Sequence, residues 1–214
     1  MLVKEAVSIL GADLSVPSKM PGFGFSIPAS ACKTGSKLAK VEGTTCSKCY
    51  AMRGNYTFPS VRGGLDKRLK ALGHELWVDA VVLLIERRTK TNGVNEFRWF
   101  DAGDLQGLWH LRNIVEAVRL TPHIKHWLPT QERGIVKQFL SEYGSLPDNL
   151  CVRISGVMIG SPPPKLHAFK GMVQTSSGGS GVGFSCGAKA RGNVCGPCRA
   201  CWERSVSNVD YPQH

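Results

Sequence analysis

The sequence predicts an α/β protein: a compact partial (βα) barrel or an open parallel sheet, with a cysteine-rich, metal-binding C-terminal tail. Three observations predict it. Short aromatic or β-branched runs alternate with helical patterns through the middle of the chain. These runs recur about every 26 residues, a compact βα spacing. The 214 residues also fall short of the roughly 250 that eight βα units take, leaving room for about four to six strands.

Each element follows in turn. Residues 20–60 are rich in Gly, Pro, Ser and Cys and read as loop. From Leu65 a helical face runs through Leu69, Leu72, Leu76 and Leu83, and Thr91–Gly93 breaks it. "EFRWF" is a short strand ending at "DAGDLQ". Leu108, Leu111, Val115 and Val118 share the face of a second helix, stopped at "TP". "IKHWLP" is the next strand, ending at "TQE". A third helix runs from Thr130–Glu132 to "SEYG", and "NLCVRISGV" is the third strand. "GSPPPK" and "TSSGGSGVG" then mark a loop-rich tail. The reading is one domain over 1–214: a cysteine-containing loop region (1–60), βα units (61–160) and a metal-binding tail (161–214). No repeat or heptad pattern stands out.

Hydrophobic content of 42% supports a sizeable core, and no run reaches the roughly 18 apolar residues that cross a bilayer. No signal peptide is read at the start, which gives a cytoplasmic protein without a membrane partner. Thiols stay reduced in that compartment, so clustered cysteines suggest metal ligands rather than disulfides. The net charge of +11 points to a phosphate-bearing partner, a nucleotide or nucleic acid, because cations gain affinity by releasing counterions. Composition says nothing of oligomeric state.

Eight cysteines form two groups and a singleton. Cys32, Cys46 and Cys49 are spaced Cys-x13-Cys-x2-Cys, and the closing pair puts two sulfurs on one turn. Either a distant residue completes a zinc site, or a four-iron cluster keeps one iron open. Cys186, Cys195, Cys198 and Cys201 offer four ligands, and His214 is a substitute for one of them. Four thiolates close a zinc tetrahedron or ligate every iron of a cluster, so the tail reads as a structural clasp holding zinc or a second iron–sulfur cluster. Cys151, in an apolar run, reads as a core residue.

In parallel βα folds ligands sit at the carboxyl ends of strands. Those ends supply Asp101, Asp104, Gln106, Gln131 and Glu132 as candidate catalytic residues, with Ser155 after the third strand. Carboxylates and amides suit general acid/base work or hydrogen bonding to a nucleobase. Read as architecture instead, Asp104 and Thr130 cap the helices that follow. Arg153 is a candidate partner for one of these acids. His123 and His126 read as a satisfied surface or core pair, and Trp109, Trp127 and Trp202 as packing, with one available to stack on a base.

The strings "CSKCYAMRGNY", "RWFDAGDLQ", "LPTQE", "NLCVRIS" and "CGPCRACWERSVSNVDYPQH" resemble a bacteriophage family known as gene product 88, over Cys32–His214. That likeness implies the host cytoplasm as the protein's location. The order of motifs is also similar to phage proteins with a three-cysteine motif, which look like shortened radical S-adenosylmethionine barrels. This implies an iron–sulfur cluster on Cys32, Cys46 and Cys49 and DNA modification, with S-adenosylmethionine as a candidate co-substrate; the thirteen-residue first gap departs from the usual radical pattern. "DAGDLQ" is similar to the Asp-Ser-Gly-Gly-Phe-Gln string of guanine and 7-deazaguanine transglycosylases. That likeness implies base exchange through Asp101 and Gln106 with a structural zinc in the tail. A third reading, from another class, is a non-catalytic nucleic-acid-binding protein with two zinc-tied loops.

Overall fold

The computed structural model describes residues 1–169 and 171–212. Seven strands form one sheet in which every neighbouring pair is parallel. They are β1 (Phe23–Phe25), β2 (Glu96–Trp99), β3 (Lys125–Thr130), β4 (Leu150–Ser155), β5 (Gln174–Gly178), β6 (Phe184–Ser185) and β7 (Asn208–Tyr211). The spatial order is β1-β2-β3-β4-β5-β7-β6. Consecutive strands lie side by side as far as β5, so right-handed crossovers place their helices on one face. The result is the open parallel sheet among the expected architectures.

The helices are α1 (Val3–Leu10), α2 (Lys33–Leu38), α3 (Pro59–Ala71), α4 (Trp77–Asn92), α5 (Leu108–Arg119) and α6 (Arg133–Tyr143). The leucine face expected as one helix from Leu65 is split into α3 and α4 at Gly73–Leu76. Pro59 occupies the first turn of α3, where its missing N–H costs nothing. The main core lies between helices and sheet. Phe25, Phe97, Trp99, Leu128, Val152 and Ile154 meet Leu10, Leu84, Leu111, Val115, Val136 and Phe139, all essentially inaccessible. His126 shares that layer, stacked on Trp99 with ring centroids 6.0 Å apart.

Four of the seven strands were hidden in regions read as loop or tail. β1 is only three residues, "FGF", inside the Gly- and Pro-rich stretch. β5 reads "QTSSG" and has no apolar side chain, although four of its five residues are buried. Its hydroxyls are satisfied sideways: Thr175 donates to Asn208 Oδ1 (2.7 Å) and Ser177 to Asp210 Oδ1 (2.7 Å). Hydrophobic patterning cannot reveal a strand whose burial is balanced by hydrogen bonds.

The second face of the sheet is covered by the tail. Arg98, Trp127 and Cys151 lie in one cross-strand row, and Arg153 is two residues beyond Cys151 on the same face. Trp202 packs edge-on to Trp127 (5.3 Å) and donates its indole N–H to Phe97 O (2.9 Å). No helix among the described residues is long and apolar enough to cross a membrane.

Candidate functional site

Asp101 stands two residues beyond the end of β2. Phe100, between them, has a left-handed backbone (φ 60°), which a bulky residue rarely adopts. Such strain costs on the order of 1–3 kcal/mol and persists only where the surroundings enforce it. Here Phe100 N–H donates to Phe25 O (2.8 Å), and Arg98 Nε donates to Phe100 O (3.1 Å). Gly103 (φ 86°) follows, and a Cβ there would lie 2.3 Å from Ile27 Cγ1. Gly103 therefore brings its backbone close against the β1 end.

The turn aims the Asp101 carboxylate at two hydroxyls. Ser26 Oγ donates to Oδ1, and Tyr56 Oη to Oδ2 (2.7 Å). Tyr50, the residue after Cys49, donates its hydroxyl to Asp101 O (2.5 Å) and accepts from Arg98 Nη2 (3.2 Å). Burial and the nearby Asp101 carboxylate push the Tyr56 phenol up from its ordinary value. For Arg98, desolvation pulls downward, but Tyr50, Asp101 and Tyr211 outweigh it and hold the guanidinium charged. Its carbon lies 4.4 Å from the Trp127 ring centroid, a cation–π contact. Sequence reading missed Ser26, Tyr50, Tyr56 and Arg98. The two tyrosines stood in the "CYAMRGNY" string and could have been flagged as hydroxyls near a metal loop.

The other four candidates have structural engagements. Asp104 does not cap α5, whose N-cap is Gly107 without a side-chain bond. It instead joins two strand ends, accepting from Leu105 N (2.8 Å), Thr130 Oγ1 (2.5 Å) and Gln131 N (2.8 Å). Burial pushes its carboxyl up to about 7, against the pull of those hydrogen bonds. Thr130 lies in β3, and its hydroxyl accepts the Glu132 N–H (2.9 Å). Gln106 Nε2 donates to Ala31 O (3.1 Å) and Asp104 O (2.9 Å). Glu132 accepts the Thr34 N–H (2.7 Å) and hydroxyl (2.8 Å), capping the first turn of α2 beside Cys32. Gln131 Nε2 donates to Thr45 Oγ1 (3.1 Å) and Gly156 O (3.0 Å), next to Cys46. Gln131 Oε1 is buried without a partner. Gln106, Gln131 and Glu132 thus tether the cysteine loop to the carboxyl ends of the strands.

That tethering turns the first three thiols toward one another. A Cβ added at Gly35 would lie 3.6 Å from Cys46 Sγ and 3.7 Å from Cys32 Sγ, so glycine leaves the space between the sulfurs clear. Burial, then Asp104, Cys49 and Cys46, raise the Cys32 pKa strongly; burial also raises that of Cys46, partly offset by a hydrogen bond from Thr45. A bound cation would supply the positive charge that these thiols lack. Among the described residues, no three His, Cys, Asp or Glu side chains are gathered tightly enough to hold a metal ion as they stand. The donor set still suits a thiolate-ligated centre. Asp104 and Glu132, the acids nearest Cys32, have all four carboxylate oxygens engaged. Neither stands free as a fourth ligand.

The tail thiols form a second neighbourhood. Cys186 lies within electrostatic reach of both Cys195 and Cys201, and Cys198 of Cys195. Burial pushes Cys201 up to about 11, and its sulfur lies 3.2 Å from Tyr211 Oη. His214 lies outside the described residues. Arg153 pairs with no acid, contrary to expectation. Its guanidinium makes five bonds to backbone carbonyls, four of them between residues 200 and 206: Ala200 (2.8 Å), Cys201 (3.0 Å), Glu203 (2.8 Å) and Val206 (2.9 Å). The fifth is to Thr175 O (3.1 Å). Arg199 pairs with Glu96 (3.0 Å) and Arg204 with Asp148 (2.9 Å), at the amino ends of β2 and β4.

The remaining residues follow the sequence reading except at His126, whose Nδ1 is buried without a hydrogen-bond partner among the described residues. Cys151 is buried, its thiol 3.4 Å from Gln174 Oε1. His126 is buried, while His123 is exposed and lies 3.3 Å from Glu86. Trp127 and Trp202 pack together, and Trp109 is exposed. Ser155 carries no acid contact; its carbonyl accepts from Arg133 Nη2 (3.0 Å).

No curated protein and no solved structure matches the chain. A family model described as gene product 88 matches residues 3–161. This span begins well before Cys32 and stops short of the tail cysteines, so the tail string lies outside the match. It includes the strained Phe100 turn, the acid and amide tethers and all three loop cysteines. The chain belongs to the gene product 88 family.

Proposed function

We propose that the protein is an enzyme that modifies a nucleotide or a nucleic-acid base, DNA before RNA, using an iron–sulfur cluster held by Cys32, Cys46 and Cys49 with one iron open. The carrying observation is the joint between the cysteine loop and Asp101: Tyr50, next to Cys49, donates its hydroxyl to Asp101 O. The same loop supplies Tyr56 to the Asp101 carboxylate. A centre on these thiols and a carboxylate aimed by a strained turn therefore share one end of the sheet. When bound, such a cluster offers a small molecule, S-adenosylmethionine among the candidates, one open coordination position. Asp101 accepts a proton or a hydrogen bond from the substrate, and Ser26 and Tyr56 orient its two oxygens. Asp104, Gln106, Gln131 and Glu132 act as positioning residues. The tail cysteines hold zinc or a second cluster in a structural role.

Purification without oxygen tests this reading. A brown protein absorbing near about 400 nm is expected, as for thiolate-ligated iron. Cys49→Ala should lose about one metal centre per chain. A colourless zinc protein with unchanged metal in Cys49→Ala would overturn the cluster assignment. It would favour base exchange through Asp101, or a binding protein with zinc-tied loops.

A further inference from the structure

The charge of the chain is not evenly spread. Residues 33–62 contain Lys33, Lys37, Lys40, Lys48, Arg53 and Arg62 against one acid, Glu42, a net +5 of the chain's +11. All six cations are exposed, and among the described residues only Arg62 has an acidic partner, Asp66 at 4.0 Å. This is the segment that carries the cysteine loop to the carboxyl ends of the strands. Lys33 Nζ reaches Gln106 O (2.6 Å), so the basic stretch borders the Asp101–Gln106 turn directly.

Large apolar side chains are exposed in the same segment. Tyr50, Met52 and Phe58 are each about half exposed. Tyr50 and Tyr56 lie with ring centroids 5.7 Å apart, and Phe58 follows two residues later. Across the turn, Trp109 is 45% exposed in the first turn of α5, at the same end of the sheet as the strand carboxyl termini. Phe58 and Trp109 thus set large ring surfaces among cations, where a partner carrying both flat apolar faces and negative charge would cover them.

We infer that this rim seats an unpaired polynucleotide strand, its phosphates on the lysines and arginines and its bases stacked on Phe58 and Trp109. Exposed rings need unstacked bases, which a single strand offers along its length and an intact duplex only at its ends. Asp101 lies within the same rim, so a base must leave any duplex to reach it. The inference rests on the reading that the protein acts on nucleic acid, and it names the form in which the substrate arrives.

Fluorescence anisotropy tests it on the full chain as isolated with its metal. The probes are a labelled single-stranded DNA of about 20 nucleotides and the same sequence as a blunt duplex. The single strand should bind about tenfold or more tightly than the duplex. Phe58→Ala should weaken single-strand binding by about 5- to 100-fold, and Phe58→Trp should retain it. The double change Lys37→Gln with Lys40→Gln should reduce the slope of log affinity against log salt by about 0.7 for each phosphate no longer neutralised. Equal or tighter duplex binding, or full affinity in Phe58→Ala, would overturn the seat for an unpaired strand while leaving nucleic acid as the substrate. If neither probe binds at low salt, the nucleic-acid reading itself falls.

Discussion

Cys32, Cys46 and Cys49 are held at the carboxyl ends of the strands by carboxylates and amides, whereas the Cys186–Cys201 tail is held across the sheet by a guanidinium. Glu132, Gln106 and Gln131 each reach out to the first loop from a strand-end position. Arg153 reaches from inside β4 and gathers the carbonyls of the tail. The first arrangement spends acids and amides that would otherwise be free for chemistry. The second spends none, since it runs from a guanidinium to backbone carbonyls. Residues placed where catalysis is expected can thus also serve as tethers, and a cysteine cluster placed as a clasp can have a second hold beside it.

The sharpest way to break this comparison is Arg153→Met. Five carbonyls, two of them in fully buried bonds, would lose a charged donor together, and bonds to charged groups are worth about 1.5–3 kcal/mol each before relaxation. A loss of about 3–5 kcal/mol in urea unfolding is expected, or failure to fold. Cys198→Ala should cost less, about 1–3 kcal/mol, because the Arg153 bonds and the β5–β7 pairing remain. If Cys198→Ala proves the more damaging change, metal rather than arginine holds the tail.

Acid loads the layer on which both regions are built. Burial lowers the pKa of His110 and of His126 to about 3, far below the unfolded value near 6.5. Both are neutral when folded, so no penalty exists above about pH 6.5, where the unfolded chain also leaves them neutral. As pH falls below that, the two histidines take up protons only in the unfolded state, and their contribution to stability declines until about pH 3. By pH 5 the loss should be about 2 kcal/mol per histidine, and His126→Gln should flatten the curve by one proton. A His126→Gln protein whose stability falls from pH 7 to about 5 as steeply as the unchanged protein's would contradict the buried neutral assignment.

Glu132→Ala separates tether from catalyst at the first loop. It removes the cap of α2, worth about 0.5–2 kcal/mol, and should lower metal content by loosening Cys32. Glu132→Gln keeps an acceptor and should keep most activity, which a catalytic carboxylate would not. The smallest effect on stability is expected for Asp101→Asn, within about 0.5 kcal/mol. It should leave metal content unchanged yet abolish turnover or ligand binding. Full activity in Asp101→Asn would make this turn architecture as well.

Much of the central sheet was legible. β2, β3 and β4 showed as aromatic or β-branched runs, and α5 and α6 as apolar faces between them, because each buries one side against the core. The gathering of Asp101, Asp104, Gln131 and Glu132 at one end of the sheet followed from the rule that strand ends gather in parallel βα units. What stayed hidden is what hydrophobicity does not encode. β5 is buried on hydroxyl and amide bonds, β1 is too short for a period, and the division of labour among Asp101, Asp104, Gln106, Gln131 and Glu132 depends on which hydrogen bonds close. Arg153 looked like a partner for an acid because a buried cation invites one. Nothing local in "LCVRIS" shows that carbonyls from about 50 residues later would serve instead.

The sheet order has a consequence for synthesis. β7 lies between β5 and β6, so β6 gains its strand partner only when the segment Asn208–Tyr211 arrives. As the chain leaves the ribosome, β1 to β5 can assemble while the side chains of Thr175 and Ser177 still await Asn208 and Asp210. Through that interval β5 is an open edge able to accept a foreign strand, and Arg153 lacks most of its carbonyls. The nascent protein is therefore most exposed to mispairing just before its last strand emerges.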